Sequence, residues 1–174
     1  LARLVAQEGY DRLVVVGGDG TLHECINGLI QNDKPLFKPQ FKMGILNGGR
    51  GCDYTKTLQL PEDPHKMIEV CLGAKFKSVD IGRVDLDSKT AYYMNSSTFG
   101  LGGVVAKAVQ GGSSLLPPAA SYLTATVKSV LSALPHKIKM SVDDKPYYEG
   151  PAHNVFVCNG KYSGGGMLWA PDAK

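Results

Sequence analysis

The chain has 174 residues, of which 43% are hydrophobic and 20% charged, and it carries a net charge of +3 at pH 7. This is the composition of a soluble globular protein, long enough for one large domain or two small ones. The charge is too small to argue for a nucleic-acid binder, no basic run is interleaved with aromatics, and no apolar stretch reads as a membrane span or signal peptide.

In chain order, Leu1 to Glu8 reads as the end of a helix, stopped by Gly9. Leu13 to Val16 are four aliphatic residues in a row, as in a strand buried on both faces of a parallel sheet. Gly17, Gly18 and Gly20 then allow a sharp turn and the close approach of a ligand to the backbone. Thr21 and Glu24 have the spacing of a capping box, and Leu22, Cys25, Ile26, Leu29 and Ile30 follow on one face of a helix over 21–31. A glycine turn that opens a helix gathers unpaired N–H groups at the positive end of the helix dipole and so favours a phosphate. Asp19 is the odd residue there, because it would repel a bare phosphate. Its expected use is to hold a metal ion or accept a proton, the plain alternative being a helix cap.

Residues 31–41 read as a loop, and Lys42 to Leu46 as a second short buried strand leading into another glycine turn, Asn47 to Tyr54. A short helix can start at Asp53. Asp63-Pro64 opens a further helix, closed by Gly73. Strand, helix and strand with glycines after both strands is the α/β arrangement that puts ligands at the carboxyl edge of a sheet. The character changes near Lys75. Ser78 to Leu86 and Thr90 to Ser96 read as strands around a turn at residues 87–89, a helix is expected from Pro118 to about Leu134, and Ile138, Met140 and Val142 alternate as in a half-exposed strand. A turn at residues 143–146, a buried strand His153 to Cys158 and a glycine-rich loop from Asn159 to Gly166 complete the chain. The expected division is an α/β domain over 1–75 and a β-rich domain over 76–174. The four cysteines, Cys25, Cys52, Cys71 and Cys158, contain no C-x-x-C pair and read as reduced cytosolic residues, not as a zinc site or a disulfide frame.

Four blocks resemble, in order, the motifs of the diacylglycerol kinase catalytic-domain family, the lipid kinases that include the sphingosine and ceramide kinases. They are G-G-D-G-T-L-H-E from Gly17, the run Gly44 to Asp53, Val79-Asp80-Ile81-Gly82, and Asn159-Gly160 through Gly164-Gly165-Gly166-Met167 to Pro171-Asp172-Ala173. NAD kinases and phosphofructokinases share the shorter G-G-D-G but are not expected to carry the last block. The resemblance implies a nucleotide-binding α/β domain followed by a mainly antiparallel β-sandwich-like domain, with the active site between them. It implies ATP-dependent phosphorylation of a lipid hydroxyl, with Mg²⁺.

By the same resemblance, Asp19, Asp53 and Asp80 form the catalytic network. Asp19 lies nearest the metal, and Gly17, Gly18, Asp19, Gly20, Thr21, Glu24, Gly49 and Arg50 line the nucleotide. The plain readings are a helix cap for Asp53 and a hairpin polar residue for Asp80. The second block departs from the family pattern: Asn47 stands where proline is usual, Arg50 where threonine is usual and Cys52 where asparagine is usual. Arg50 is expected to supply positive charge to the phosphates, and Cys52 to pack as a small residue. His23, His65, His136 and His153 have no metal-ligand spacing and read as structural or surface residues. The run from Leu101 to Val105 lacks the acidic residue that sphingosine kinases carry there, which favours a neutral glycerolipid such as diacylglycerol.

The expected protein is therefore a cytoplasmic lipid kinase that visits membrane surfaces, binds no nucleic acid, has no transmembrane segment and can form a homodimer. The alternatives are a kinase of NAD or of a soluble alcohol, and a nucleotide- or lipid-binding module without catalysis. Both ends read as cut. A preceding N-P-x-S-G strand and a following acidic segment and glutamate base, implied by the resemblance, have no match here, so the segment alone is expected to be inactive and poorly soluble.

Overall fold

The computed structural model describes residues 1–49, 51–87, 89–100, 127 and 134–173. They fall into two compact units, one formed by Leu1–Ser96 with Cys158–Lys174 and the other by Ser97–Val157.

The first unit begins with α1 (Ala2–Gln7), β1 (Arg12–Gly17) and α2 (Asp19–Leu29). A small hairpin follows, β2 (Ile30–Gln31) and β3 (Lys34–Pro35), and then β4 (Lys42–Asn47). β1 and β4 pair in parallel, Val15 opposite Ile45 and Gly17 opposite Asn47, so both glycine turns leave the sheet at the same edge. α3 (Asp53–Thr57) and α4 (Pro64–Leu72) complete the α/β layer. The start of α4 is as the sequence predicts, since the Asp63 carboxylate caps it by accepting from the Lys66 N–H at 2.9 Å.

Period-two alternation places Leu13, Val15, Met43 and Ile45 on one face of the sheet. There they pack with Ala6, Leu22, Ile26, Leu29, Tyr54 and Met94 in the core. α4 covers part of the opposite face. It comes close because Gly44 has no side chain: a Cβ there would lie 2.8 Å from the Cys71 sulfur. The Arg12 guanidinium closes the contact by donating to the Cys71 carbonyl at 2.9 Å. The expectation of a β1 strand buried on both faces holds only in part, for Val16 is 66% exposed. Among the described residues β1 pairs with β4 alone, and Cys71 of α4 meets the sheet at Arg12, Gly44 and the Ile45 carbonyl, short of Val16.

The expected capping box also gives way. The N-cap of α2 is Gly18, with no side-chain cap bond, and Thr21 already lies within the helix with its side chain packed on Gly17. A glycine turn this tight brings the helix start back to residue 19, ahead of the position that would let Thr21 cap.

After α4 the chain forms the antiparallel hairpin β5 (Gly82–Leu86) and β6 (Lys89–Tyr93), then β7 (Ser96–Gly100). In the second unit, β8 (His136–Val142) and β9 (Lys145–Ala152) make a hairpin whose two loop residues, Asp143 and Asp144, have φ of 50° and 60°. These are the left-handed values of a tight turn matched to strand twist, which aspartate tolerates. β10 (Asn154–Cys158) pairs with β7. The chain then returns to the first unit through β11 (Tyr162–Ser163) and β12 (Met167–Leu168). The helix expected from Pro118 falls outside the described residues except at Val127 and Leu134, and the run Leu101 to Val105 lies outside them entirely.

Candidate active site

The two glycine turns at the carboxyl ends of β1 and β4 touch. A Cβ on Gly49 would lie 2.5 Å from the Gly18 Cα, so only glycine permits this approach. Gly20 is open, with nothing within 4 Å of where its Cβ would be. Thr21 and Glu24 are exposed on the first turns of α2, and Arg50 lies outside the described residues.

Asp19 reaches across this contact. Its Oδ2 accepts from the Asp53 N–H at 2.8 Å and its Oδ1 from the Tyr54 N–H at 3.0 Å. It thereby caps the start of α3, where Cys52, the N-cap residue, makes no side-chain cap bond. Cys52 is buried and holds a left-handed conformation, φ 46° and ψ 41°, uncommon for a residue with a side chain.

Asp53 is only 4% exposed. Its Oδ2 accepts from the Gly165 N–H at 2.8 Å and its Oδ1 lies 3.5 Å from the Lys56 ammonium. Burial pushes its carboxyl above the ordinary range. The Gly165 N–H draws it back, the charge of Asp19 adds to the rise, and Lys56 opposes it. Gly164, Gly165 and Gly166 all have positive φ, 69°, 87° and 99°, which turns this loop so that the Gly165 N–H faces the carboxylate.

The structure thus brings Asp19 and Asp53 together and leaves Asp80 apart. Asp80 is exposed, and its carbonyl accepts from the Asn159 side chain at 2.8 Å. Its charge is felt by Tyr54, whose hydroxyl is pushed up to about 12, first by burial and then by Asp80. Asp19 and Asp53 line a cavity of about 350 Å³ whose other walls include His23, Tyr93, Asn95 and Ser163. His23, expected as a structural or surface residue, lines this cavity, and Asn95 belongs to none of the four sequence motifs. The i, i+4 spacing from Asp19 to His23 is the signal that places both on one face of α2. Among the described residues no group of three His, Cys, Asp or Glu side chains stands close enough to enclose a metal.

The wall opposite α2 is held to it by Asn27. Its side-chain amide donates to the Tyr92 carbonyl at 2.8 Å and its oxygen accepts from the Tyr92 N–H at 2.9 Å, as a neighbouring strand would.

Comparison with known proteins accounts for both parts of the chain. Residues 1–84 match the family model of the diacylglycerol kinase catalytic domain. Residues 95–174 match the YegS C-terminal NAD kinase beta sandwich-like domain. A protein named "Putative lipid kinase" in Staphylococcus aureus (strain bovine RF122 / ET3-1) is 33% identical over 158 residues, which cover 91% of this chain and 48% of that protein. The corresponding protein of strain Newman is 32% identical over the same shares. The crystal structure of a "putative diacylglycerol kinase" from Bacillus anthracis str. Sterne superposes with a TM-score of 0.69 at 25% identity, covering 99% of this chain and 55% of that one. The chain spans about half the length of the curated relatives it matches. With an α/β layer followed by antiparallel strands, the chain carries both domains in order: residues 1–84 belong to the diacylglycerol kinase catalytic-domain family and residues 95–174 to that of the YegS C-terminal beta sandwich-like domain.

Proposed function

We propose that this chain is the nucleotide- and metal-binding part of an ATP-dependent kinase that phosphorylates a hydroxyl of diacylglycerol or a related glycerolipid at a membrane surface. The observation that carries the reading is the meeting of Asp19 and Asp53 beside two touching glycine turns, in the wall of one cavity. Phosphoryl transfer needs little covalent chemistry from the protein. It needs positioned phosphates, a neutralising metal and an oriented hydroxyl.

The residues fit such a metal. Two adjacent carboxylates, one of them buried and pushed above its ordinary range partly by the other, carry negative charge that a divalent cation relieves. Mg²⁺ is commonly held through one or two carboxylates together with phosphates and water, so a pair of carboxylates is a sufficient protein share of such a site. Asp19 would hold it, with Asp53 next to it, and the ion would neutralise the nucleotide phosphates. Gly17, Gly18, Gly20, Thr21, Glu24, Gly49 and Arg50 would lie along the nucleotide, where the open backbone at Gly20 and the start of α2 supply N–H donors. Asp80 would extend the carboxylate network through Tyr54. No described helix is long and apolar enough to cross a membrane. In the proposed reading the lipid would be met at the bilayer surface from the cytoplasm.

The test is a phosphorylation assay of the whole protein with Mg-ATP against diacylglycerol in mixed micelles, sphingosine, NAD and small alcohols, with Mg-ATP affinity measured in parallel. Transfer to diacylglycerol supports the proposal. Transfer to NAD alone, or ATP binding without turnover on any acceptor, rejects it in favour of a soluble-substrate kinase or a binding module. Within that assay, replacing Arg50 by Thr should change the KM for ATP if the arginine meets the phosphates.

A further inference from the structure

We propose that Asn159 is a positioning residue for the phosphoryl-transfer site, stapling the loop that carries Gly165 to the base of the β5–β6 hairpin. The proposal rests on the kinase reading above and goes beyond it, because Asn159 touches neither glycine turn and does not line the cavity.

The geometry is that of a hub. The Asn159 side-chain nitrogen donates to the Asp80 carbonyl and to the Met94 carbonyl, both at 2.8 Å. An amide has two N–H groups, and both are used here. Asp80 precedes β5 and Met94 follows β6, so one side chain joins the two ends of the hairpin. The backbone joins in. The N–H groups of Asn159 and Gly160 donate to the Asn95 carbonyl at 2.8 and 2.7 Å, and the Asn95 side chain donates to the Tyr162 carbonyl at 3.0 Å. Gly160 is buried against the Asn95 side-chain oxygen, where any Cβ would collide, so the Asn-Gly pair is required together.

From this anchor the chain runs straight to the carboxylates. The Lys161 N–H donates to the Thr57 hydroxyl at the end of α3, at 2.9 Å. Four residues on, Gly165 donates to Asp53. Two of the three aspartates are therefore placed through Asn159: Asp80 by its own carbonyl, and Asp53 by the loop that brings its Gly165 donor. Asp19 is placed independently by α3. Removing the Asn159 amide leaves the Asp80 and Met94 carbonyls without their donor and loosens the near end of the loop, which is then held only by the Asn159, Gly160 and Lys161 N–H bonds and the β11–β12 pairing.

The test uses Asn159→Asp, which keeps the shape and removes both donors, and Asn159→Ser, which restores one, in the whole protein. Amide exchange at residues 164–166 is read by mass spectrometry or NMR, alongside kcat and the KM for Mg-ATP. Amide exchange there should rise about tenfold or more in Asn159→Asp while exchange in β1 and α2 stays unchanged, a local opening and not a global one. kcat should fall by about 10- to 100-fold, the scale on which small misplacements act, with the KM for Mg-ATP unchanged. Asn159→Ser should lie between the two. Unchanged exchange at 164–166 overturns the staple. Raised exchange with wild-type kcat overturns the positioning role. Exchange raised equally in β1 and α2 in both variants overturns it in favour of a general structural role. If the unsubstituted protein phosphorylates no acceptor, the kinase reading fails and the positioning role with it, and the exchange pattern still reports whether the staple exists.

Discussion

The carboxylate of Asp19 accepts a 2.8 Å hydrogen bond from the backbone N–H of Asp53, a residue 34 positions later in the chain. One acid is thereby both the cap of α3 and the neighbour of a second, buried acid. Its structural and its proposed catalytic uses pull on the same atoms, which determines how its variants should behave.

Asp19→Asn keeps one carbonyl oxygen for two N–H donors and loses the charge. Charge-assisted hydrogen bonds contribute about 1.5–3 kcal/mol and neutral ones about 1 kcal/mol, so a loss of about 1–3 kcal/mol is expected in denaturant unfolding. Turnover should fall by orders of magnitude beyond what this destabilisation explains. A folded variant with near-normal kcat would sink the assignment.

Asp53 carries a pH signature. Its pKa is raised in the folded protein above the ordinary 3.8, chiefly by burial. Between the two values the folded state binds more protons than the unfolded one, so this group makes stability fall as pH rises through that window. Below it the effect is absent, and above it the loss is complete. Asp53→Asn should flatten that segment of the stability–pH curve while abolishing turnover. A curve that is unchanged by the substitution contradicts the burial argument.

Cys52 occupies a left-handed conformation that costs a side-chain-bearing residue about 1–2 kcal/mol and that asparagine tolerates better. Its sulfur already lies 3.4 Å from the Gly49 carbonyl and 3.7 Å from the Gly17 carbonyl, two acceptors an amide could use. Cys52→Asn is expected to raise stability by about 1 kcal/mol, visible as an increase of several degrees in Tm. A lower Tm would show that the buried amide finds no partners.

Asn27 tests the docking of β6 on α2. Asn27→Asp keeps an acceptor for the Tyr92 N–H but sets a carboxylate against the Tyr92 carbonyl. A destabilisation of about 1–3 kcal/mol follows from the lost donor and the unpaired carbonyl. Differential scanning calorimetry would read it, and a variant as stable as the parent would mean that apolar packing alone holds this wall.

Several features were legible in the sequence because they are local. Four aliphatic residues before a glycine turn make β1, Asp63 before Pro64 caps α4, and paired aspartates make the tight turn between β8 and β9. Each depends on backbone preferences within a few residues, and the order of four motifs carried the family. The start of α2 differs from its expectation for an equally local reason, because the tightness of the Gly17-Gly18 turn moves the cap back from Thr21.

What only the tertiary structure decided is which distant groups meet. Asp19 and Asp53 stand out in the sequence as acids after glycine turns, but nothing in their spacing says that one caps the helix of the other. The donors to Asp53 and to the Asp80 carbonyl come from residues 112 and 79 positions away. Asn159 reads in the sequence only as the first letter of a glycine-rich motif. The physical reason is that helix, turn and cap preferences act through neighbouring dihedral angles and have no reach along the chain. A hydrogen bond between remote segments forms only once the parallel strands and the packed core have brought their backbones within about 3 Å.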